Sequence, residues 1–345
     1  MFQTHLNDVF VIQNNIFSSS KIDCLSDTKA LLLQSSDRDM QKNNKQRALT
    51  ITFGTVAENG PGMQHVMPEG FQPPKAGDGL TFSDLKKIEA ECSARGMKCY
   101  MLNLRKLGLG ALQPLEMHAT EAWVLVVCGL AEGLTGDGAG GADAAIASAD
   151  AMFEELTANT VRWDAQALMR GQVKNKQARH NLCFSDAAQE PDYAAGKGTV
   201  IPFSSLPLLQ KARSTLGELH PKLAGLPAEG NDYFDYKSCG IGFHGDGERP
   251  LTVGLRLYGS EEVNLELHYQ WYQNGAPIGH RIALVLPHGA GYFMSEKATG
   301  FDWKKRKDGI LTLRHAAAGV VKGSKKKNRF LRMEEIQGKI IRIGF

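Results

Sequence analysis

The stretch DYFDYKSCGIGFHGD, residues 232–246, opens a run of short apolar segments that decides the fold. After it come LTVGLRLYG (251–259), VNLELHYQWYQNG (263–275), HRIALVLPHG (280–289), AGYFMSEK (290–297) and ILTLRHAAA (310–318). Each reads as a strand, rich in β-branched and aromatic residues and bounded by turn formers. Successive strands preceded by helices that can cover one sheet predict a β-sandwich or jelly-roll.

Upstream, MFEELTANTVRWD (152–164) predicts an amphipathic helix with Phe153, Leu156 and Val161 on one side, and 200–219 (VIPFSSLPLLQKARSTLGEL) supplies another helix. Further upstream the pattern changes. ALTITFGTV (48–56) reads as a buried strand, TFSDLKKIEAECSARG (81–96) as a helix capped by Thr81 or Ser83 and stopped at Gly96, and KCYMLNL (98–104) as a strand. A third strand, EAWVLVVCGL (121–130), precedes a Gly/Ala-rich stretch that suits a flexible link or a helix start. These features place a boundary near residue 140. Residues 48–140 then form a small α/β domain with no ligand-spaced cluster of Cys, His or acidic residues, which points to a structural or partner-binding role. Residues 1–47 alternate apolar patches with polar ones and read as a poorly ordered extension. The catalytic-type domain covers 141–320, and 321–345 is a basic C-terminal extension.

A chain of 345 residues, 42% of them hydrophobic, has ample material for a core. Its net charge of +3 is too small to announce a nucleic-acid partner by itself. Basic residues do cluster, at KKRK (304–307) and KGSKKKNR (322–329), where a solvated loop and phosphate contact are both open readings. Six scattered cysteines without a C-x-x-C pair argue against a zinc ribbon or disulfide scaffold and suit a reducing compartment. No apolar run is long enough to span a bilayer, so the expectation is an intracellular protein with no membrane partner. The basic runs leave nuclear and cytoplasmic placement open.

The chemistry concentrates at His244-Gly245-Asp246. In a strand, residues i and i+2 face one side, so an imidazole and a carboxylate can converge on one ion. A non-haem iron(II) oxygenase needs two histidines and one carboxylate on one face of the metal. The second histidine has to come from later in the chain, where His268, His280, His288 and His315 are available. His315 lies in a strand that could return opposite the H-x-D turn. Its neighbour Arg314 is a fork-shaped donor suited to a carboxylate, yet adjacent strand residues point to opposite faces.

Residues 150–318 resemble the AlkB-like family of iron(II)/2-oxoglutarate dioxygenases, in particular its divergent members from protists and large DNA viruses. The resemblance rests on MFEELTANTVRWD (152–164) with MRGQVKNKQARHNLCFSD (169–186), similar to the family's leading helix and substrate-contacting lid. It rests also on GNDYFDYKSCGIGFHGDGER (230–249), similar to its N-x-Y approach to H-x-D, and on LVLPHGAGYFM (284–294) and ILTLRHAA (310–317). It implies an α+β fold: a double-stranded β-helix, or jelly-roll, catalytic domain with supporting helices. It implies Fe(2+), 2-oxoglutarate as cosubstrate and O2. Carried over, His244 and Asp246 ligate iron, Asn231 and Tyr233 hydrogen-bond the cosubstrate, and Arg314 pairs with its carboxylate. The family's distal histidine usually lies between the last two of these segments, but Met294 to Leu313 contains none. By elimination His315 becomes the remaining ligand; an upstream carboxylate, or a defective site, are the alternatives.

The implied activity is oxidative demethylation of an alkylated nucleobase in DNA or RNA, lifted from its stack to reach the metal. Arg170, Lys174, Lys176 and Arg179 could track phosphates, with Glu248 and Arg249 as further substrate contacts. Tyr269, Trp271 and Tyr272 could stack on a base, although their strand positions suit the core. Hydroxylation of a protein or small molecule, and a catalytically inactive nucleic-acid-binding module, are the competing readings.

Overall fold

The computed structural model describes residues 44–57, 59–60, 63–64, 70–110, 121–136, 142–305, 309–319, 329–331 and 341–343. In chain order it has β1 (Ala48–Gly54), the two-residue strands β2 (Asn59–Gly60) and β3 (Met63–Gln64), α1 (Phe82–Ala94), β4 (Lys98–Asn103) and α2 (Leu104–Leu109). Next come β5 (Trp123–Cys128), α3 (Leu130–Thr135), α4 (Ala142–Thr157), β6 (Gln166–Met169), β7 (Gln172–Asn175), β8 (His180–Ser185), β9 (Val200–Pro202) and α5 (Pro207–Leu219). The remainder is β10 (Ala228–Tyr233), β11 (Gly240–His244), β12 (Thr252–Tyr258), β13 (Leu265–Gln273), β14 (Ala276–Leu284), β15 (Gly291–Met294), α6 (Glu296–Thr299), β16 (Leu311–Gly319) and β17 (Ile341–Ile343).

The result is a mixed α/β fold dominated by a large, mostly antiparallel sheet. Its eight strands run β4-β5-β15-β12-β1-β10-β8-β9, and a second sheet of five runs β11-β16-β13-β14-β17. Strand alternation sorts the side chains between two environments. Val253, Leu255 and Leu257 of β12 join Leu49, Ile51 and Phe53 of β1 beneath α1, α4 and α5 in the largest apolar core. On the opposite face, Val124, Val126, Tyr292 and Met294 meet Leu267, Tyr269, Trp271 and Leu313 of the second sheet. The two sheets therefore share an interior.

Helix α1 starts where its sequence predicts. The Thr81 hydroxyl accepts from the Asp84 N–H at 3.1 Å and the Asp84 carboxylate accepts from the Thr81 N–H at 2.9 Å, a reciprocal cap. Leu85, Ile88 and Cys92 form its buried stripe. The Gly/Ala-rich stretch before residue 152 resolves as a helix start: α4 begins at Ala142 and ends at Thr157, earlier at both ends than expected.

Two expectations need correction. The boundary near residue 140 separates nothing, because β1 is hydrogen-bonded between β10 and β12, and β5 pairs with β15. Everything described lies in one compact unit that begins at Asn43. The strand-helix-strand reading of β1, α1 and β4 also fails to make a local unit, since three strands stand between β1 and β4. The expected extension at 1–47 lies outside the described residues apart from 44–47, and the basic 321–345 segment apart from 329–331 and 341–343. Tyr269, Trp271 and Tyr272 are all buried, and the Trp271 indole N–H donates to the Leu104 carbonyl at 3.0 Å. They are core residues.

Candidate metal centre

Strand β11 pairs antiparallel with β16 so that His244 stands directly opposite His315, after an irregularity between Ile241 and His244. Such a bulge re-aims the following side chains. On β16, Leu311, Leu313 and Ala317 share the inward parity of His315, and Tyr269 of β13 is its partner on the other side. Asp246 sits just past the end of β11, its N–H donating to the Thr299 carbonyl at 2.9 Å. The glycine between the two ligands is a packing requirement. A Cβ at Gly245 would collide with the Gly300 carbonyl and come within 2.6 Å of the Trp303 Cβ.

The three side chains converge. One ligand atom from each of His244, Asp246 and His315 lies within 4.8 Å of the others. His244 Nε2 and His315 Nε2 stand 3.5 and 3.7 Å from the same oxygen, Asp246 Oδ1. Good hydrogen bonds are shorter. Groups about 2.1 Å from a shared ion stand roughly 3 to 3.5 Å apart, so a small contraction would fit these atoms to one metal. Among the described residues this is the one cluster of three or more such groups that could hold a metal ion.

The surroundings prepare each ligand. His244 Nδ1 lies 2.8 Å from the Gly242 carbonyl, which fixes the proton there and leaves Nε2 as a lone-pair donor. Asp246 Oδ2 faces the Arg249 guanidinium at 3.4 Å and the Thr252 hydroxyl at 3.4 Å, so Oδ1 is the oxygen left for an ion. Burial opposes the charge on Asp246, but Arg249, His315 and His244 together hold its carboxyl well below the usual range. Burial, reinforced by His244, pushes His315 down to about 3 against the pull of Asp246. His315 is thus a neutral imidazole near pH 7, as a ligand must be. Its Nδ1 is buried without a hydrogen-bond partner.

A cavity of about 200 Å³ opens between the sheets beside this set. Asn231, Tyr233, Arg179, Glu248 and Arg249, all singled out in the sequence, line it. Arg179 Nε donates to the Asn231 side-chain oxygen, and the Asn231 amide donates to Glu229 at 2.8 Å. Burial raises the Glu248 carboxyl, with Arg249 opposing.

Other assignments change. Arg314 points away from the cavity, as strand parity requires, with its guanidinium 3.9 Å from the Tyr272 ring centre and 5.1 Å from that of Trp303. Arg249 is buried between Glu229, at 2.8 Å, and Asp246, so it serves the carboxylates and not a substrate. Lys176 is buried and bonded to Asn181, which removes it from a phosphate track. Arg170 and Lys174 lie on the exposed β6–β7 hairpin with Met169 and Val173.

The sequence reading missed the other lining residues, among them Thr50, Thr52, Glu229, Thr252, Arg256 and Tyr292. Arg256 is wholly buried, yet its Nε and Nη2 have no hydrogen-bond partner. Its place in LTVGLRLYG, a lone cation among apolar residues of a strand, was the available signal.

No family model matches the chain. An uncharacterized protein of Acanthamoeba polyphaga mimivirus is 39% identical over 271 residues, covering 79% of this chain and 95% of the viral protein.

Proposed function

The chain belongs to one family with that mimivirus protein, and we propose that it is an AlkB-like iron(II)- and 2-oxoglutarate-dependent oxygenase. The observation that carries the reading is the convergence of His244, Asp246 and His315 at a cavity between two sheets. Two histidines and a carboxylate with open positions are the donor set of such iron sites. The winding of the chain supports a jelly-roll: β10, β12 and β15 lie in one sheet while β11, β13, β14 and β16 lie in the other. The chain thus passes between sheets at β10–β11, β11–β12, β12–β13, β14–β15 and β15–β16, with β13–β14 a hairpin inside one sheet. The slot between β10 and β12, where a jelly-roll would place a final strand, is filled by β1.

Iron, 2-oxoglutarate and dioxygen would supply the oxidising chemistry; the protein supplies position and exclusion of water. His244 and His315 would hold the metal through neutral nitrogens and Asp246 through Oδ1. Arg249 and Thr252 keep Oδ2 turned away. Ile241, Leu267, Met294 and Ala317 give the cavity apolar wall, which limits water near the ion.

For the substrate we propose a methylated nucleobase in DNA or RNA. Arg170 and Lys174 on the exposed hairpin, and Arg179 at the cavity, support phosphate contact. The loss of Lys176 from that track, and of Arg249 from the substrate contacts, favours the second reading, hydroxylation of a protein or small molecule. Among the described residues no helix is long and apolar enough to cross a membrane.

The test is succinate release from 2-oxoglutarate with added iron(II), in the intact chain and in His315→Ala, with and without methylated oligonucleotides. Turnover in the intact chain that the substitution abolishes is the expected result. Absence of turnover in the intact chain defeats the oxygenase reading. Turnover that no methylated oligonucleotide stimulates moves the substrate to the second reading.

A further inference from the structure

Arg256 is a fully buried charge whose guanidinium is only partly satisfied. It lies on β12 with zero exposure, and among the described residues no carboxylate pairs with it. Its Nη1 donates to the Thr50 hydroxyl, while Nε and Nη2, one edge of the guanidinium fork, are buried without a partner. A buried cation without an anion is costly, and native interiors leave few such groups unsatisfied. The neighbouring ion pairs show how this interior treats a charge it does not reserve: Arg249 is matched to both Glu229 and Asp246.

Arg256 is among the residues that line the cavity beside the metal-ligand set. Thr50 is the cross-strand partner of both Asn231 and Arg256, so the three make one polar row across β10, β1 and β12 on the wall of the larger sheet. His244 and His315 occupy the wall formed by the smaller sheet. A ligand that reaches both walls carries an anionic group at one end and metal-binding donors at the other. A planar, two-oxygen anion would match the unpartnered Nε–Nη2 edge, which favours a carboxylate over a tetrahedral phosphate in so small a space.

We infer that Arg256, braced by Thr50, is the seat for a ligand carboxylate, so that the anion site is built from β12 and the N-terminal strand β1 and not from the strand that carries His315. This rests on the cavity reading proposed above and names where a dicarboxylate's far end would be held. One consequence is that β1 is part of the binding site.

The test uses the full chain stripped of metal by chelation, so that ligand binding is read without turnover. Thermal unfolding is followed with saturating glutarate, 2-oxoglutarate, the monocarboxylate 2-oxovalerate, and inorganic phosphate. Glutarate and 2-oxoglutarate should raise the melting temperature of the wild type more than 2-oxovalerate does, as ligands that bind only the folded state must. In Arg256→Met the ligand-dependent rise should vanish while the ligand-free protein stays folded, since an unpaired buried charge has been removed. Arg256→Lys, which keeps the charge and loses the fork, should weaken glutarate at least ~10-fold. An equal rise in Arg256→Met, a phosphate effect matching that of glutarate, or no rise with any dicarboxylate in the wild type would each overturn the assignment. Glutarate binding that survives where succinate release fails counts against the oxygenase reading alone.

Discussion

His244 and His315 face each other across the β11–β16 pair with ring centres 4.4 Å apart, although 70 residues of chain separate them. Neither ring is tied to the other by a hydrogen bond, and both turn a nitrogen toward one Asp246 oxygen. A metal ion could meet all three side chains. His315→Ala should therefore lower affinity for a divalent metal by more than ~100-fold, beyond the 10–100-fold typical of outer-shell changes. Cobalt(II) titration followed by its visible absorption checks this. Unchanged affinity would remove His315 from the ligand set.

Arg249 is held between two buried carboxylates, so its removal strands both. Arg249→Met should destabilise the fold by about 3–5 kcal/mol, the cost of breaking a buried pair from one side. Glu229→Gln in the same chain removes one stranded charge and should recover part of the loss. Metal affinity should fall ~10–100-fold in the single variant, because Asp246 Oδ2 loses its restraint. Urea unfolding and the same cobalt titration give both readings; strict additivity of the two substitutions would count against the coupling.

Arg314 offers the opposite expectation. It packs over Tyr272 and Trp303 on the outward face of β16. Arg314→Met should cost about 0.5–2 kcal/mol of stability through lost cation–π contact and leave the 2-oxoglutarate concentration dependence unchanged. A several-fold rise in the KM for 2-oxoglutarate would restore it to the cavity.

Strand periodicity explains why so much of this site was legible and why Arg314 was not. His244 and Asp246 are two apart, and His315 lies two from Leu313 and Ala317, so their shared facing can be read from the order of residues alone. The same rule places Arg314 on the other face, a conflict that the resemblance had overridden. Arg256 escaped because nothing local marks a strand arginine as unpaired; its isolation follows from which strands flank it. The position of β1 is equally non-local. ALTITFGTV says strand, but only the pairing of Thr50 with Asn231 and Arg256 brings it into the site.

Asp84 gives a pH-dependent prediction away from the metal. Burial works against its charge, but the Thr81 N–H and the Lys222 ammonium, 2.9 Å away, bring its carboxyl down to about 2. A depressed folded-state pKa adds stability above the unfolded value near 4, and this is lost as pH falls toward 2. Asp84→Asn should then cost about 0.5–2 kcal/mol at pH 7, the range for a helix cap, and progressively less between pH 4 and pH 2. Unfolding at pH 7 and pH 3 decides the matter, since a difference that does not shrink would separate the cap from the carboxylate's ionisation.

Gly245 tests whether the ligand loop is set by packing or by backbone freedom. It is absent from the glycines with positive φ among the described residues, so an alanine there is conformationally permitted. What forbids it is space: the added methyl meets the Gly300 carbonyl and the Trp303 side chain. Overpacking of this kind costs about 1–3 kcal/mol. Because the displaced residue lies between His244 and Asp246, Gly245→Ala should also weaken metal binding. Trp303→Ala clears the side chain but leaves the carbonyl, which belongs to the αL turn that ends α6. The double variant should therefore recover only part of the stability and little of the metal affinity. Full recovery of both would place the constraint on Trp303 instead of on the backbone approach of the two loops.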